Sequence, residues 1–113
     1  MIQSSFNFSG SELKEKGIEL AIDHAEQVTP NWKEKAFEMF KEWLRGWPSG
    51  YRFLMEDARV SLEIRELQPP PSLRAYGRII QMAKKEGLII HAGYRQVKNA
   101  KAHQANASQW QKV

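Results

Sequence analysis

The 113-residue chain contains no cysteine. That absence removes disulfide scaffolds, thiolate zinc sites and cysteine nucleophiles together. No apolar run approaches the roughly 20 residues that a membrane-spanning helix needs, so no membrane partner is expected. The opening residues, MIQSSFNFSGSELKEKG, lack the basic start and apolar stretch of a secretory signal. Without one, the glycosylation triplets Asn7-Phe8-Ser9 and Asn106-Ala107-Ser108 read as chance. Missing too are a glycine-rich phosphate loop, G-x-S-x-G, H-x-x-x-H or H-E-x-x-H spacing, and a carboxylate–lysine nuclease pattern. The titratable candidates are His24, His91, His103, Asp23, Glu56 and Asp57. Asp23 and His24 are adjacent and point about 100° apart on a helix, and Glu56-Asp57 is most simply an acidic first turn. No catalytic residue, metal, cofactor or small-molecule substrate is therefore expected.

Negative charge is scarce in one part of the chain. Residues 1–67 hold 9 Lys/Arg and 12 Asp/Glu, a balance of −3, whereas residues 68–113 hold 8 Lys/Arg and the single acid Glu86, a balance of +7. The total is +4. A field concentrated in this way attracts polyanions, of which nucleic acid is the commonest. Hydrophobic residues make up 42% and charged residues 27%, as in an ordinary globular domain. Five Phe, four Trp and three Tyr supply the bulk of a core. One domain over residues 10–113 is expected, after a flexible tail at residues 1–9 whose Phe6 and Phe8 can dock on the body.

Ser9-Gly10-Ser11-Glu12 has capping-box spacing and predicts a helix over about 10–28. Leu13, Gly17, Leu20, Ala21, Ala25 and Val28 form one narrow apolar seam on it. Thr29-Pro30 starts a second helix, about 30–46, carrying the stripe Trp32, Ala36, Phe37, Phe40, Trp43, Leu44 and Trp47. Gly46, Pro48, Ser49 and Gly50 end it, and Tyr51-Arg52-Phe53 reads as a very short strand. A third helix spans about 55–66, with Leu54, Ala58 and Leu62 on its apolar side, and stops at Gln68-Pro69-Pro70-Pro71. Ser72 caps a fourth helix running to about Glu86, with Gly87 as C-cap. The period then changes. Residues 88–96 and 108–113 alternate as two strands, joined by the small, polar, basic segment 98–107. The fold class is mostly α with a small β-ribbon. From Trp32 onward the order is that of a winged helix-turn-helix, preceded by an extra N-terminal helix.

On the fourth helix Leu73, Tyr76, Gly77, Ile80 and Ala83 share one face. Arg74, Arg78, Gln81 and Lys85, spaced 4, 3 and 4 apart, form an acid-free stripe opposite. Major-groove recognition uses this arrangement, although solvent-facing helix positions are often Arg, Lys and Gln for no other reason. The ribbon adds Arg95, Lys98, Lys101 and His103, suited to phosphate or the minor groove. Tyr94 stacks on a base or half-packs on the sheet, and Trp110 anchors the last strand under the fourth helix. The aromatic stripe is core. The alternative is a homodimer interface shared by residues 10–47.

The strings Asp23-His24-Ala25, Pro30-Asn31-Trp32, Phe53-x-x-Glu56-Asp57-x-Arg59, Pro69-Pro70-Pro71-Ser72-x-Arg74-Ala75-Tyr76-Gly77, Ala83-x-x-x-Gly87-Leu88-Ile89 and Trp110 resemble a family of small uncharacterised bacteriophage and prophage proteins. The resemblance covers about residues 17–113. It implies a winged-helix-like fold and a cytoplasmic protein of an infected or lysogenic bacterium, and it carries no assigned activity. Tyr76 stands where the family pattern has Trp. Within that pattern Gly77 lets the preceding helix cross closely. Arg74 either contacts phosphate or pairs with Glu56 or Asp57. The expected function is non-catalytic binding of double-stranded DNA in phage gene regulation or replication. The rivals are a protein–protein adaptor with an acidic partner, and binding of RNA or single strands through Tyr94.

Overall fold

The computed structural model describes residues 10–96 and 106–113. Helix α1 (Gly10–Val28) leads through a short turn into α2 (Trp32–Arg45), then strand β1 (Arg52–Leu54) and α3 (Met55–Ile64). A 3-10 turn (Leu73–Ala75) opens α4 (Tyr76–Lys85), and β2 (Ile89–Gln96) and β3 (Asn106–Lys112) follow. The protein is mostly helical with one small antiparallel sheet of order β1-β3-β2. The ribbon predicted for 88–96 and 108–113 is present, with Ile89 opposite Lys112, His91 opposite Trp110 and Tyr94 opposite Ser108. The short strand near Tyr51 pairs with the far side of β3, Phe53 lying opposite Trp110. No helix among the described residues is long and apolar enough to cross a membrane.

The aromatic stripe is core, as its spacing predicted. Trp32, Phe37, Phe40, Trp43 and Leu44 are buried, together with Phe53, Leu62, Leu67, Ile79 and Ile89. Trp43 stands edge-on to Phe53 with centroids 5.1 Å apart. Trp47, at the end of the stripe, is partly exposed and stacks on Tyr51 at 4.0 Å. Trp32 ties three elements together. Its ring meets Tyr76 of α4 edge-on at 5.4 Å, and its indole N–H donates to the Gln68 carbonyl at 2.7 Å. That bond fixes the proline turn between α3 and α4.

The start of α2 differs from the sequence expectation. Thr29 and Pro30 lie in a turn, and the helix begins at Trp32. The cap comes from α1, where the Glu26 carboxylate accepts from the Asn31 and Lys33 N–H groups at 3.1 and 2.7 Å. An acid in that place also meets the positive end of the α2 dipole. Asp57 does the equivalent for α3, accepting from the Leu54 N–H at 3.1 Å. The end of α4 follows expectation. Gly87 adopts φ +74, and the Gly87 and Leu88 N–H groups return to the Lys84 and Ala83 carbonyls. Lys112 of β3 donates to the Leu44 and Trp47 carbonyls and so closes the end of α2.

The seam assigned to α1 mixes two faces. Ile18, Ala21, Ile22 and Ala25 are buried inside the chain, while Leu13, Leu20 and Val28 are exposed. An amphipathic helix of average polarity gives two readings of its apolar side, and packing selects the one centred on Ile18 and Ile22.

Tyr76 is buried and donates to Glu63 of α3 at 2.6 Å. Burial foremost, then that bond and the Glu63 charge, push its pKa far above the ordinary phenol value. The folded state thus favours neutral Tyr76. Its contribution to stability is complete below the unfolded pKa near 10 and is lost as pH rises beyond it. Urea midpoints compared at pH 8 and pH 11 should fall more in the wild type than in Tyr76→Phe. Equal falls would contradict this assignment.

Candidate nucleic-acid interface

α4 is amphipathic as predicted, with Tyr76, Ile79, Ile80 and Ala83 buried and Lys84 and Lys85 exposed, and Arg74 is exposed in the 3-10 turn before it. Leu73, assigned to the inner face, is exposed instead, because the chain at 73–75 is a 3-10 turn and not the first turn of the α-helix. The 3-10 turn is capped by Ser72, whose Oγ accepts from the Arg74 N–H at 3.3 Å.

The stripe opposite the core is not open along its length. α1 lies across the beginning of α4. Arg78 donates through Nη2 to Glu15 Oε2 at 2.7 Å, and Gln81 donates through Nε2 to Glu15 Oε1 at 2.8 Å. Arg78 Nη1 also donates to Gln81 Oε1 at 2.7 Å, so the three side chains close a ring. The two hydrogen bonds, from Gln81 first and then Arg78, hold the Glu15 carboxyl below its ordinary pKa. Arg78 and Gln81, expected to face solvent, are therefore half-buried and engaged. Sequence periodicity showed that no acid interrupts the stripe along α4. It did not show that an acid arrives from another helix.

Two glycines record how close the helices come. A Cβ at Gly77 would lie 2.8 Å from Ile18 Cδ1, and one at Gly17 would lie 3.1 Å from Arg74 Nη1. The helix that crosses Gly77 is thus α1, not the preceding α3. Arg74 runs over α1 at Gly17, which neither alternative considered for it anticipated. The two sites should respond oppositely to alanine. Gly17→Ala gains up to about 1 kcal/mol of helix propensity, because the crowded atom is the tip of an exposed arginine. Gly77→Ala presses on buried Ile18 and should cost about 1–3 kcal/mol as overpacking. Thermal unfolding of the two variants checks the pair, and a stable Gly77→Ala would contradict the close approach.

Together with α1 and α4 the hairpin completes a cleft of about 520 Å³ whose lining includes Gln81 and Lys84 of α4, Ser108 and Trp110 of β3, and Glu15 and Ile18 of α1. Lys84 Nζ sits 5.4 Å from the Trp110 ring centroid, a cation–π contact. Trp110 is half-buried against the core, as expected. His91 stands edge-on to Trp110 and to Tyr94 at 5.2 and 5.0 Å. Tyr94 itself is 70% exposed, which favours the open alternative over packing on the sheet. Between them β2 is kinked at a register shift that includes Gly93, φ +93.

Arg95 is not wholly given to the outside. Its Nη2 donates to Asp57 Oδ2 at 3.1 Å, and its Nε is buried without a hydrogen-bond partner among the described residues. Asp57 thus caps α3 and fastens the hairpin to it, a role the adjacent Glu56-Asp57 pair did not reveal in the sequence. Lys98, Lys101 and His103 lie outside the described residues. No group of three or more His, Asp or Glu that could hold a metal occurs among the described residues. Comparison with protein-family models, with curated proteins and with solved structures finds no match to this chain.

Proposed function

We propose that the chain is a winged helix-turn-helix module with an added N-terminal helix, and that it binds double-stranded DNA without catalysis in bacteriophage or prophage gene regulation or replication. The observation that carries this is the placing of α4 against β3 of the hairpin across one cleft, both drawn from the segment whose only acid is Glu86, with Glu15 and Glu56 reaching the cleft from α1 and α3. The sheet order β1-β3-β2 and the proline turn between α3 and α4 support the same layout. Arg74 of the 3-10 turn and Lys84 and Lys85 of α4 would meet the duplex, with Lys98, Lys101 and His103 from the segment between β2 and β3, and Arg78 and Gln81 once Glu15 is displaced. Fluorescence anisotropy with a mixed-sequence duplex at about 50 mM salt tests it, since phosphate-driven binding is strong there. No binding would overturn it. Competition by an unlabelled generic duplex separates DNA from an acidic protein partner.

The exposure of Tyr94 beside His91 favours one second reading, the stacking of unpaired bases on the hairpin. A single strand that outcompetes the duplex, and loses that advantage in Tyr94→Ala, would replace the first. Light scattering decides whether α1 also joins two copies through Leu13, Leu20 and Val28.

A further inference from the structure

We propose that Arg78 and Gln81 form a preassembled site for one backbone phosphate, and that Glu15 is its internal occupant. This rests on the DNA-binding reading above and adds how that face is regulated. Two donors from adjacent turns of α4 converge on the two oxygens of a single carboxylate at 2.7 and 2.8 Å. The bond between Arg78 and Gln81 turns the amide nitrogen outward. A phosphodiester presents the same feature, two anionic oxygens side by side, to which an arginine fork and a neighbouring amide are complementary. Arg74 is exposed in the 3-10 turn ahead of α4 and lies over Gly17 of α1, and Lys14 and Lys84 line the cleft that Glu15, Gln81 and Glu56 also line. A polyanion that takes the Glu15 position thus meets further cations on either side.

Glu15 is displaceable for a structural reason. The buried anchors of α1 are Ile18, Ala21, Ile22 and Ala25, all beyond it in the chain, and Leu13 before it is exposed. No described side chain between Glu12 and Gly17 is fully buried, so no core anchor has to leave its place when Glu15 does. The Arg78–Glu15 pair is also open to solvent, with side chains 26% and 40% exposed. Such pairs are weak. One phosphate gains little by replacing one carboxylate, whereas a backbone contacting several cations does so readily. Glu15 therefore penalises short or singly charged anions and spares long ones.

The test compares the wild type, Glu15→Ala and Glu19→Ala on a labelled mixed-sequence duplex. Glu19 is exposed on the same helix, so its variant removes the same charge without opening the site. Glu15→Ala should bind about two- to fivefold tighter than Glu19→Ala, the range a freed surface ion pair allows. Its log affinity against log salt should keep the slope of Glu19→Ala, because the duplex displaces Glu15 and Arg78 meets the same phosphate in both complexes. Adding Arg78→Ala to Glu15→Ala should abolish the gain and flatten the slope by about one unit. Binding by all proteins with no difference between the two glutamate variants overturns this inference and leaves DNA binding intact. No duplex binding by any of them overturns both.

Discussion

Trp32→Ala should remove a large share of the stability of this protein. The side chain is fully buried, and truncating a buried tryptophan costs about 3–5 kcal/mol. A domain of this size has roughly 5–15 kcal/mol in all. Trp32→Phe separates the two parts of the effect. It keeps the edge-on contact with Tyr76 but leaves the Gln68 carbonyl without its indole donor, which should cost about 1–3 kcal/mol. At roughly 4 °C per kcal/mol the midpoint falls by about 4–12 °C. The phenylalanine variant should also loosen the turn between α3 and α4, read as faster amide exchange at Leu67 and Arg74. A midpoint within 2 °C of wild type, against the roughly 4 °C that 1 kcal/mol moves it, would show that the indole bond does not secure the turn.

That turn illustrates what the sequence discloses and what it hides. Proline and glycine act through their own backbone, so Pro69–Pro71 and Gly87 placed the ends of α3 and α4 closely, whereas Ser72 caps the 3-10 turn ahead of α4 and not α4 itself. The wide aromatic stripe of α2 has only one way to be buried, and its core role was plain. The alternation after Gly87 gave β2 and β3 and their pairing. What failed was contact between distant segments. Thr29 offered a local cap, but Glu26, five residues before Asn31, supplies the real one. Leu13 and Leu20 look no less apolar than Ile18 and Ile22, and only the groove beside Gly77 distinguishes them.

The basic stripe on α4 shows the same limit. Periodicity placed Arg74, Arg78, Gln81 and Lys85 on one side of a helix; Arg78, Gln81 and Lys85 lie on α4, whereas Arg74 lies in the 3-10 turn that precedes it. Whether that side meets water depends on α1, some 60 residues earlier, and a single carboxylate there changes the status of two of the four. Gly17 and Gly77 were the available signal. A glycine inside each of two helices marks a close crossing, and reading them as partners would have set α1 across α4. Likewise Arg95 looked like a wing cation, and its tether to Asp57 spans 38 residues that no local pattern connects.

The largest solution effect expected is the loss of duplex affinity with salt. Arg74 of the 3-10 turn and Lys84 and Lys85 of α4 are exposed, and Lys98 and Lys101 fall between β2 and β3 in the sequence. With about five phosphates neutralised, log affinity should fall against log salt with a slope of roughly −4 to −5. Between about 50 and 200 mM salt the dissociation constant should then rise roughly 250- to 1,000-fold. Lys85→Ala, Lys98→Ala and Lys101→Ala should each flatten the slope by about one unit and weaken every sequence alike. Lys85 is exposed at the end of α4, so its loss should leave thermal stability within about 0.5 kcal/mol. Lys35→Ala makes the same change of charge on α2, in the acidic part of the chain, and should leave the slope unaltered. If Lys35→Ala flattens it as much as Lys85→Ala, the attraction comes from net charge and not from a surface formed by α4 and the hairpin. A slope shallower than about −2 would mean that no more than two phosphates are engaged. A contact that small does not describe a helix and a wing on one duplex.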